Sequence, residues 1–282
     1  MILYKYKNLV EQQSFNYALD SLENKYLYFS RPSELNDPFD CRIQPDYNAT
    51  EKEYLQWIKN HKKTLPPNNR LLTVAGIKTV INENRTIEGI EKLANILVEA
   101  NHLFSLTSDS LNESMWALYA GNYNGICIGY KVDFTNSFMP NRIEFSNGNE
   151  ILNVNITKQI INFQQIKYDN LGNHTLQLFK DRKSQIENVN YNLTHKKKCW
   201  ETEKEYRAIF QDTDFKLEKY GIFTTKVFYD DNFLEEISFG YNVSKDTIKS
   251  IKQSIEKRYS NKINFYIVQP DLTKFELVKE KI

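Results

Sequence analysis

Glycine is scarce in this chain, with 9 in 282 residues, about half the usual share. Neither GxGxxG nor GxxxxGK[ST] occurs, so the common glycine-built phosphate cradles are absent. A nucleotide would have to be held by side chains or by ordinary helix N-termini. Cysteine is also rare. Cys41, Cys127 and Cys199 are widely separated, odd in number and form no Cys-x-x-Cys, which argues against a disulfide framework or a cysteine zinc site. This usage predicts a reducing, cytoplasmic setting. Net charge is nearly absent too, at +1 from 37 basic and 36 acidic residues, so bulk attraction to nucleic acid or anionic membrane is not expected. No apolar run approaches membrane-spanning length, and the first residues lack the apolar core of a signal peptide.

What is present is aromatic and acidic. Tyr (18) and Phe (17) are abundant, enough for a core and for the walls of a ligand pocket. The segment Trp200-Glu201-Thr202-Glu203-Lys204-Glu205-Tyr206-Arg207 is the most distinctive. Read as a strand, it places Glu201, Glu203, Glu205 and Arg207 on one face, with neighbouring carboxylates about 7 Å apart. Such a cluster can hold one carboxyl at a raised pKa or grip a hydroxyl-rich ligand. It also suits a solvated edge strand. A helical reading pairs Glu203 with Arg207 at i,i+4 and sets Glu201 against Glu205.

Along the chain, strands are predicted near 2–6, 26–30, 103–106, 125–130, 203–210, 263–268 and 275–278. Helices are predicted around Phe15–Leu22, over 110–120, weakly over 176–189, and from Ser244, its N-cap, onward. Residues 45–100 read as a mostly helical insertion, with one helix marked by Tyr54, Trp57 and Ile58 and another by Ile87, Ile90, Leu93, Ala94 and Leu97. Cys127 sits in an apolar run and is expected in the core. The fold expected is a single α+β domain over 1–282, with mixed or antiparallel sheets and that insertion.

Five groups carry candidate chemistry: Tyr4-Lys5-Tyr6, Tyr28-Phe29-Ser30-Arg31, the turn Asn36-Asp37-Pro38-Phe39-Asp40, the pair Trp116 and Tyr119, and the acidic segment. Leu-Tyr-Lys-Tyr, Tyr-Phe-Ser-Arg-Pro, Asn-Asp-Pro-Phe-Asp, Phe-Ser-Leu-Thr, Met-Trp-Ala-Leu-Tyr-Ala, Gly-Ile-Cys-Ile-Gly-Tyr and Trp-x-x-Glu-Lys-Glu-Tyr-Arg follow one another in order. That series resembles a widespread bacterial family, domain of unknown function 2971, from residue 3 to about residue 250.

The chain also resembles, more loosely, the ADP-ribosyltransferase fold. Toxin-like members carry a basic or His residue on a first strand, a Ser or aromatic on a second and a Glu-x-Glu or single Glu on a later one. Here Lys5, then Ser30 with Tyr28, then Glu203-Lys204-Glu205 fall in that order. Lys5 stands where Arg or His is typical, and the second strand follows the first closely.

This resemblance implies a split sheet and an NAD-using transferase or glycohydrolase, as in a bacterial toxin or anti-phage effector. Glu203 and Glu205 would be catalytic. Tyr4, Lys5, Tyr28, Ser30, Arg31, Asn36, Asp37, Trp116, Tyr119 and Arg207 would hold the NAD. Cleaving the nicotinamide–ribose bond passes through an oxocarbenium-like state that a carboxylate on the ribose hydroxyl stabilises. Two alternatives stand beside it. Asp37, Asp40, Glu203 and Glu205, with Lys204 or Lys5, are suited to a magnesium-dependent nuclease. The same groups also suit a non-catalytic module binding a nucleotide or a protein.

Overall fold

The computed structural model describes residues 1–63, 67–68, 70–82, 98–132, 140–146, 151–155, 161–170, 175–211 and 224–282. The chain divides into two compact units. The first comprises 1–30, 102–166 and 199–282, and the second 31–101 and 167–198. The architecture is a mixture of helices with several sheets, whose strands pair mostly antiparallel.

The first unit holds strands β1 (Ile2–Asn8), β2 (Tyr26–Phe29), β3 (Asn101–Thr107), β4 (Gly125–Lys131), β5 (Arg142–Ser146), β6 (Ile151–Asn155), β7 (Phe163–Gln165), β8 (Glu205–Gln211), β9 (Thr224–Phe228), β10 (Leu234–Gly240), β11 (Asn264–Asp271) and β12 (Glu276–Lys281). Its helices are α1 (Gln12–Glu23), α2 (Glu113–Leu118) and α3 (Lys245–Arg258). Eight strands form one sheet in the order β12-β11-β10-β4-β1-β3-β8-β7, and four form another in the order β2-β9-β5-β6. Strand β1 lies antiparallel to β4 from Ile2↔Lys131 to Asn8↔Gly125 and is flanked on its other side by β3. Helix α3 crosses over between β10 and β11, which run parallel, as a parallel pair requires.

Side-chain alternation explains how the large sheet is used. Strand β4 is buried at every position except Lys131, which fits its unbroken apolar run. Ile126, Ile128 and Tyr130 join Leu3, Phe104, Leu106, Ala208 and Phe210 in the main core. Leu27, Phe29, Ile143, Phe145 and Val227 of the smaller sheet enter the same core, as do Ile248, Ile251 and Ile255 of α3. The opposite face of the large sheet carries Tyr6, Cys127 and Val268, covered by Trp116 and Ala120 from α2 and the residues that follow it. The backbone of Ser30 links the two sheets, bonding to Leu103 in both directions at 2.8 Å.

Gly121, Asn122 and Tyr123 have φ of 56°, 52° and 62° and turn the chain from α2 into β4. Only glycine takes this region freely, so the two non-glycine residues are held there by their surroundings. The N–H of Asn122 donates to the Ala117 carbonyl and that of Tyr123 to the Trp116 carbonyl.

In the second unit, Gln44–Asp46 pairs in parallel with Thr175–Gln177, and Lys167–Asp169 with His195–Lys197. Its helices are Glu51–His61, Val74–Asn82 and Arg182–Thr194. Helix Glu51–His61 opens on a capping box in which Thr50 accepts from the Glu53 N–H and the Glu53 carboxylate accepts from the Thr50 N–H. The insertion expected over 45–100 belongs to this unit and is helical at 51–61 and 74–82. The stripe Ile87–Leu97 lies outside the described residues. Among the described residues, no helix is long and apolar enough to cross a membrane.

Candidate functional site

The acidic segment is not one strand. Residues 198–203 form a 3-10 helix, Lys204 takes φ 47°, and strand β8 begins at Glu205. The expected single face of Glu201, Glu203, Glu205 and Arg207 is therefore split. Glu201 is exposed on the turn, and only Glu205 and Arg207 keep strand alternation. They point away from the main core, into which Ala208 and Phe210 are packed.

Glu205 and Arg207 form a two-pronged ion pair. Arg207 donates through Nε to Glu205 Oε1 at 2.6 Å and through Nη2 to Oε2 at 3.1 Å. Glu205 is 4 % exposed and Arg207 1 %. This fork geometry is the strong form of an Arg–carboxylate contact. Burial makes the two residues interdependent, since breaking a buried ion pair by removing one charge is costly.

Glu203, 6 % exposed, is oriented differently. Tyr119, immediately after α2, donates its hydroxyl to Glu203 Oε1 at 2.7 Å. The turn carrying Glu203 is fastened to α2 and the loop before it. Asn112 accepts from the Met115 N–H at 3.1 Å as the N-cap of α2, while its Nδ2 donates to the Thr202 carbonyl. Lys204 Nζ contacts Asp109 Oδ2 at 2.8 Å, and the Ser108 N–H donates to the Lys204 carbonyl. The loop 108–112 is anchored in turn to the sheet. Tyr6 donates its hydroxyl to the Asp109 carbonyl at 2.8 Å, and Trp116 donates through Nε1 to the Ser110 carbonyl at 2.9 Å.

Tyr6 meets Trp116 edge to face at 5.2 Å. Trp116 has no exposed surface, so it is a wall of the core and not a ring on which a ligand can stack. Tyr4 lies on the same face of β1 and packs against this cluster. Burial, and next the Glu236 carboxylate, push its phenol up to about 12.

The remaining expected residues lie elsewhere. Lys5 points to the main-core side of β1. Its Nζ sits 5.1 Å from the Phe104 ring centroid and donates to the Ser105 carbonyl at 3.0 Å. Tyr28 is on the face of β2 that turns away from the core holding Leu27 and Phe29, opposite Lys226 in register. Ser30 serves the sheet junction through its backbone. Arg31, Asn36 and Asp37 belong to the second unit. Buried Arg31 donates to the Glu99 carbonyl. Asn36 is exposed. Asp37 is 4 % exposed, and its Oδ1 accepts from the Phe39 N–H at 3.0 Å in an Asx turn. Its Oδ2 has no hydrogen-bond partner among the described residues. Asp40 is paired with Lys196 at 3.5 Å, both buried. Among the described residues, no three His, Cys, Asp or Glu converge as a metal-ligand group.

The sequence reading missed Asp109 and Asn112. Asn112 carries a signal, being an N-cap residue just before a helical run. Asp109 carries none, because it acts through a contact 95 positions away.

Fold and site together define a mixed α/β protein whose large sheet bears a buried Glu–Arg pair, preceded by a turn with a tyrosine-held glutamate. Residues 115–208 match the model of the family described as protein of unknown function (DUF2971), the family that the ordered motifs resemble. The matched stretch contains Trp116, Tyr119, Glu203, Glu205 and Arg207. No curated protein and no solved structure matches the chain.

Proposed function

We propose that the chain is an enzyme that cleaves the nicotinamide–ribose bond of NAD, passing ADP-ribose to water or to an acceptor, with Glu203 as its working carboxylate. The observation that carries this reading is the unequal treatment of the two glutamates. Glu205 is held by the two-pronged contact with Arg207, whereas Glu203 accepts from the Tyr119 hydroxyl at 2.7 Å. A buried carboxylate in hydrogen-bonding reach of a ligand suits a site where positive charge develops on a ribose ring.

In the proposed step the C–N bond breaks and its electron pair leaves with nicotinamide. Glu203 accepts a hydrogen bond from a ribose hydroxyl and stabilises the oxocarbenium-like ring. Water or an acceptor hydroxyl then attacks the same carbon and releases its proton. Glu205 and Arg207 are positioning residues that keep the start of β8, and so the turn bearing Glu203, in place. On this reading the two sheets of the first unit correspond to the split sheet of ADP-ribosyltransferases. Lys5, Tyr28 and Trp116 drop out as NAD contacts, because each is committed to packing or to the wrong sheet face.

One observation favours a second reading. Glu205 and Arg207 satisfy each other fully enough to be a purely structural network, as expected of a non-catalytic binding module. Incubation with NAD and chromatographic measurement of free nicotinamide separates the two. Release is expected from the parent protein and is expected to fall at least about a hundredfold in Glu203→Gln, with the melting transition retained. No nicotinamide above the buffer blank, or an unchanged rate in the variant, would overturn the proposal.

A further inference from the structure

A second region of the first unit has the make-up of a ligand site and takes no part in the chemistry above. It lies where α3 passes over the ends of β11 and β12. Two adjoining cavities share Lys252, Glu256 and Ile282. One, of about 400 Å³, is floored by Ile248 and Ile267 and edged by Lys245 and Lys249. The other, of about 270 Å³, adds Lys262, Lys281 and Phe265. Taken together they fall within the size range of small-molecule sites.

The lysines are notable for what they lack. Other lysines of this unit have a carboxylate partner: Lys25 with Asp231, Lys204 with Asp109 and Lys279 with Glu236. Among the described residues, none of Lys245, Lys249, Lys252, Lys262 and Lys281 has a carboxylate within ion-pair distance. Lys252 lies 5.2 Å over the Phe265 ring, and Lys281 donates to Asn264 Oδ1 at 2.7 Å. Against these five ammonium groups the walls offer one acidic side chain, Glu256, and the terminal residue Ile282. Lys245, Lys249 and Lys252 recur at i, i+4 and i+7, so they line one side of α3 in a row. Like charges gathered beside a low-dielectric wall concentrate a positive potential there.

The two cavities therefore ask for different halves of one ligand. The larger has an aliphatic floor that gains by covering apolar carbon. The smaller has three lysines, Lys252, Lys262 and Lys281, in its wall, whose ammonium groups bind phosphate or carboxylate as point charges. We propose that this groove binds a single-chain amphiphilic anion, its phosphate or carboxylate head among Lys252, Lys262 and Lys281 and its aliphatic tail along Ile248 and Ile267. A small head fits the 270 Å³ end, whereas a bilayer surface would need an exposed apolar ridge where the structure has a recess.

Dodecyl phosphate, kept below its micelle concentration, is the probe for calorimetric titration of the full chain. Saturable one-to-one binding is expected, at least tenfold tighter than inorganic phosphate or decyl glucoside. It should weaken at least tenfold in the Lys252→Gln/Lys262→Gln double variant and stay unchanged in Lys257→Gln, which alters charge on the same helix outside both cavities. Matching melting curves check that the variants are folded. Absence of saturation, equal affinity in the double variant, or inorganic phosphate binding as tightly as dodecyl phosphate would each overturn the assignment. So would protein that sediments with phosphatidylglycerol vesicles yet ignores the monomeric probe.

Discussion

Glu203 and Glu205 are two positions apart and both are buried, yet they should respond to substitution in opposite ways. Glu205→Gln removes one charge of the two-pronged contact with Arg207, whose guanidinium is 1 % exposed. A loss of about 3–5 kcal/mol in urea unfolding is expected. Glu203→Gln keeps an oxygen that can accept from Tyr119, so the loss should be about 1 kcal/mol. Replacing both ends of the ion pair, as Glu205→Leu/Arg207→Met, should recover much of the stability lost in Glu205→Gln, because both buried charges are removed together. Should Glu205→Gln unfold at the parent urea midpoint, the pair is not the buried unit described. The same contrast shows what is legible at this scale. The composition of the acidic segment and the kinship of Glu205 with Arg207 can be read from alternation. The split between Glu203 and Glu205 cannot, because it depends on the left-handed Lys204 and on Asp109, Asn112 and Tyr119, which flank helix α2 about 90 residues earlier.

Elements were legible where apolar period and end signals agree. Strand β4 and helix α3 follow their apolar patterns closely, and Ser244 caps α3 by accepting from the Thr247 N–H at 3.1 Å. Ser244→Ala should cost about 1 kcal/mol and lower the melting temperature by about 2–4 °C. A Ser244→Asp variant, which keeps an acceptor beside the helix N-terminus, should melt near the parent. An alanine variant melting with the parent would mean that the cap contributes nothing. Elements that lack a pattern were misjudged. The weak helix expected over 176–189 is a short strand at Thr175–Gln177 followed by a helix at Arg182–Thr194. That helix is polar around most of its circumference and buries only Val189, Asn192 and Leu193, so its sequence shows little period. Helix α2 was expected over 110–120 and spans only Glu113–Leu118. Asn112 caps it, and the left-handed turn from Gly121 prevents its continuation. The order of strands in the large sheet was not readable at all, since β1 sits between partners from residues 101–107 and 125–131 and no local signal encodes that choice.

At the scale of the whole molecule, the abundance of tyrosine becomes a statement about alkaline stability. Tyr130, Tyr229 and Tyr259 are buried together, with Tyr229 and Tyr259 hydroxyls 2.9 Å apart and Tyr259 donating to the Leu22 carbonyl at 2.7 Å. Burial raises all three phenols well above the ordinary value of 10.0; Tyr259 raises Tyr130 further and both neighbours raise Tyr229, while the hydrogen bond with Tyr229 partly offsets the rise at Tyr130 and Tyr259. Tyr6 is raised by burial as well, and so is the Cys127 thiol beside it. These groups keep their protons in the native state at a pH where the unfolded chain loses them, so native stability is full below their unfolded values and is lost above them. The loss should begin near pH 9 with Cys127 and steepen above pH 10.

Lys7 acts in the opposite sense. Burial, and next the charge of Lys5, pull it from 10.5 down to about 8, with Asp20 resisting. Between those values the unfolded chain holds a proton that the native state has released, so this residue alone makes stability rise with pH. Lys7→Met should therefore be more stable than the parent at pH 7, by about 2 kcal/mol once partial exposure is discounted, and the gap should close by about pH 10.5. Tyr229→Phe should flatten the fall above pH 10, since a phenylalanine has no proton to lose in the unfolded chain. Urea midpoints at pH 7, 9, 10 and 11 for the three proteins read both effects at once. A Lys7→Met advantage that stays constant across the series would show that the ammonium is fully hydrated in the native state, and an alkaline fall as steep in Tyr229→Phe as in the parent would show that the tyrosine cluster is open to water.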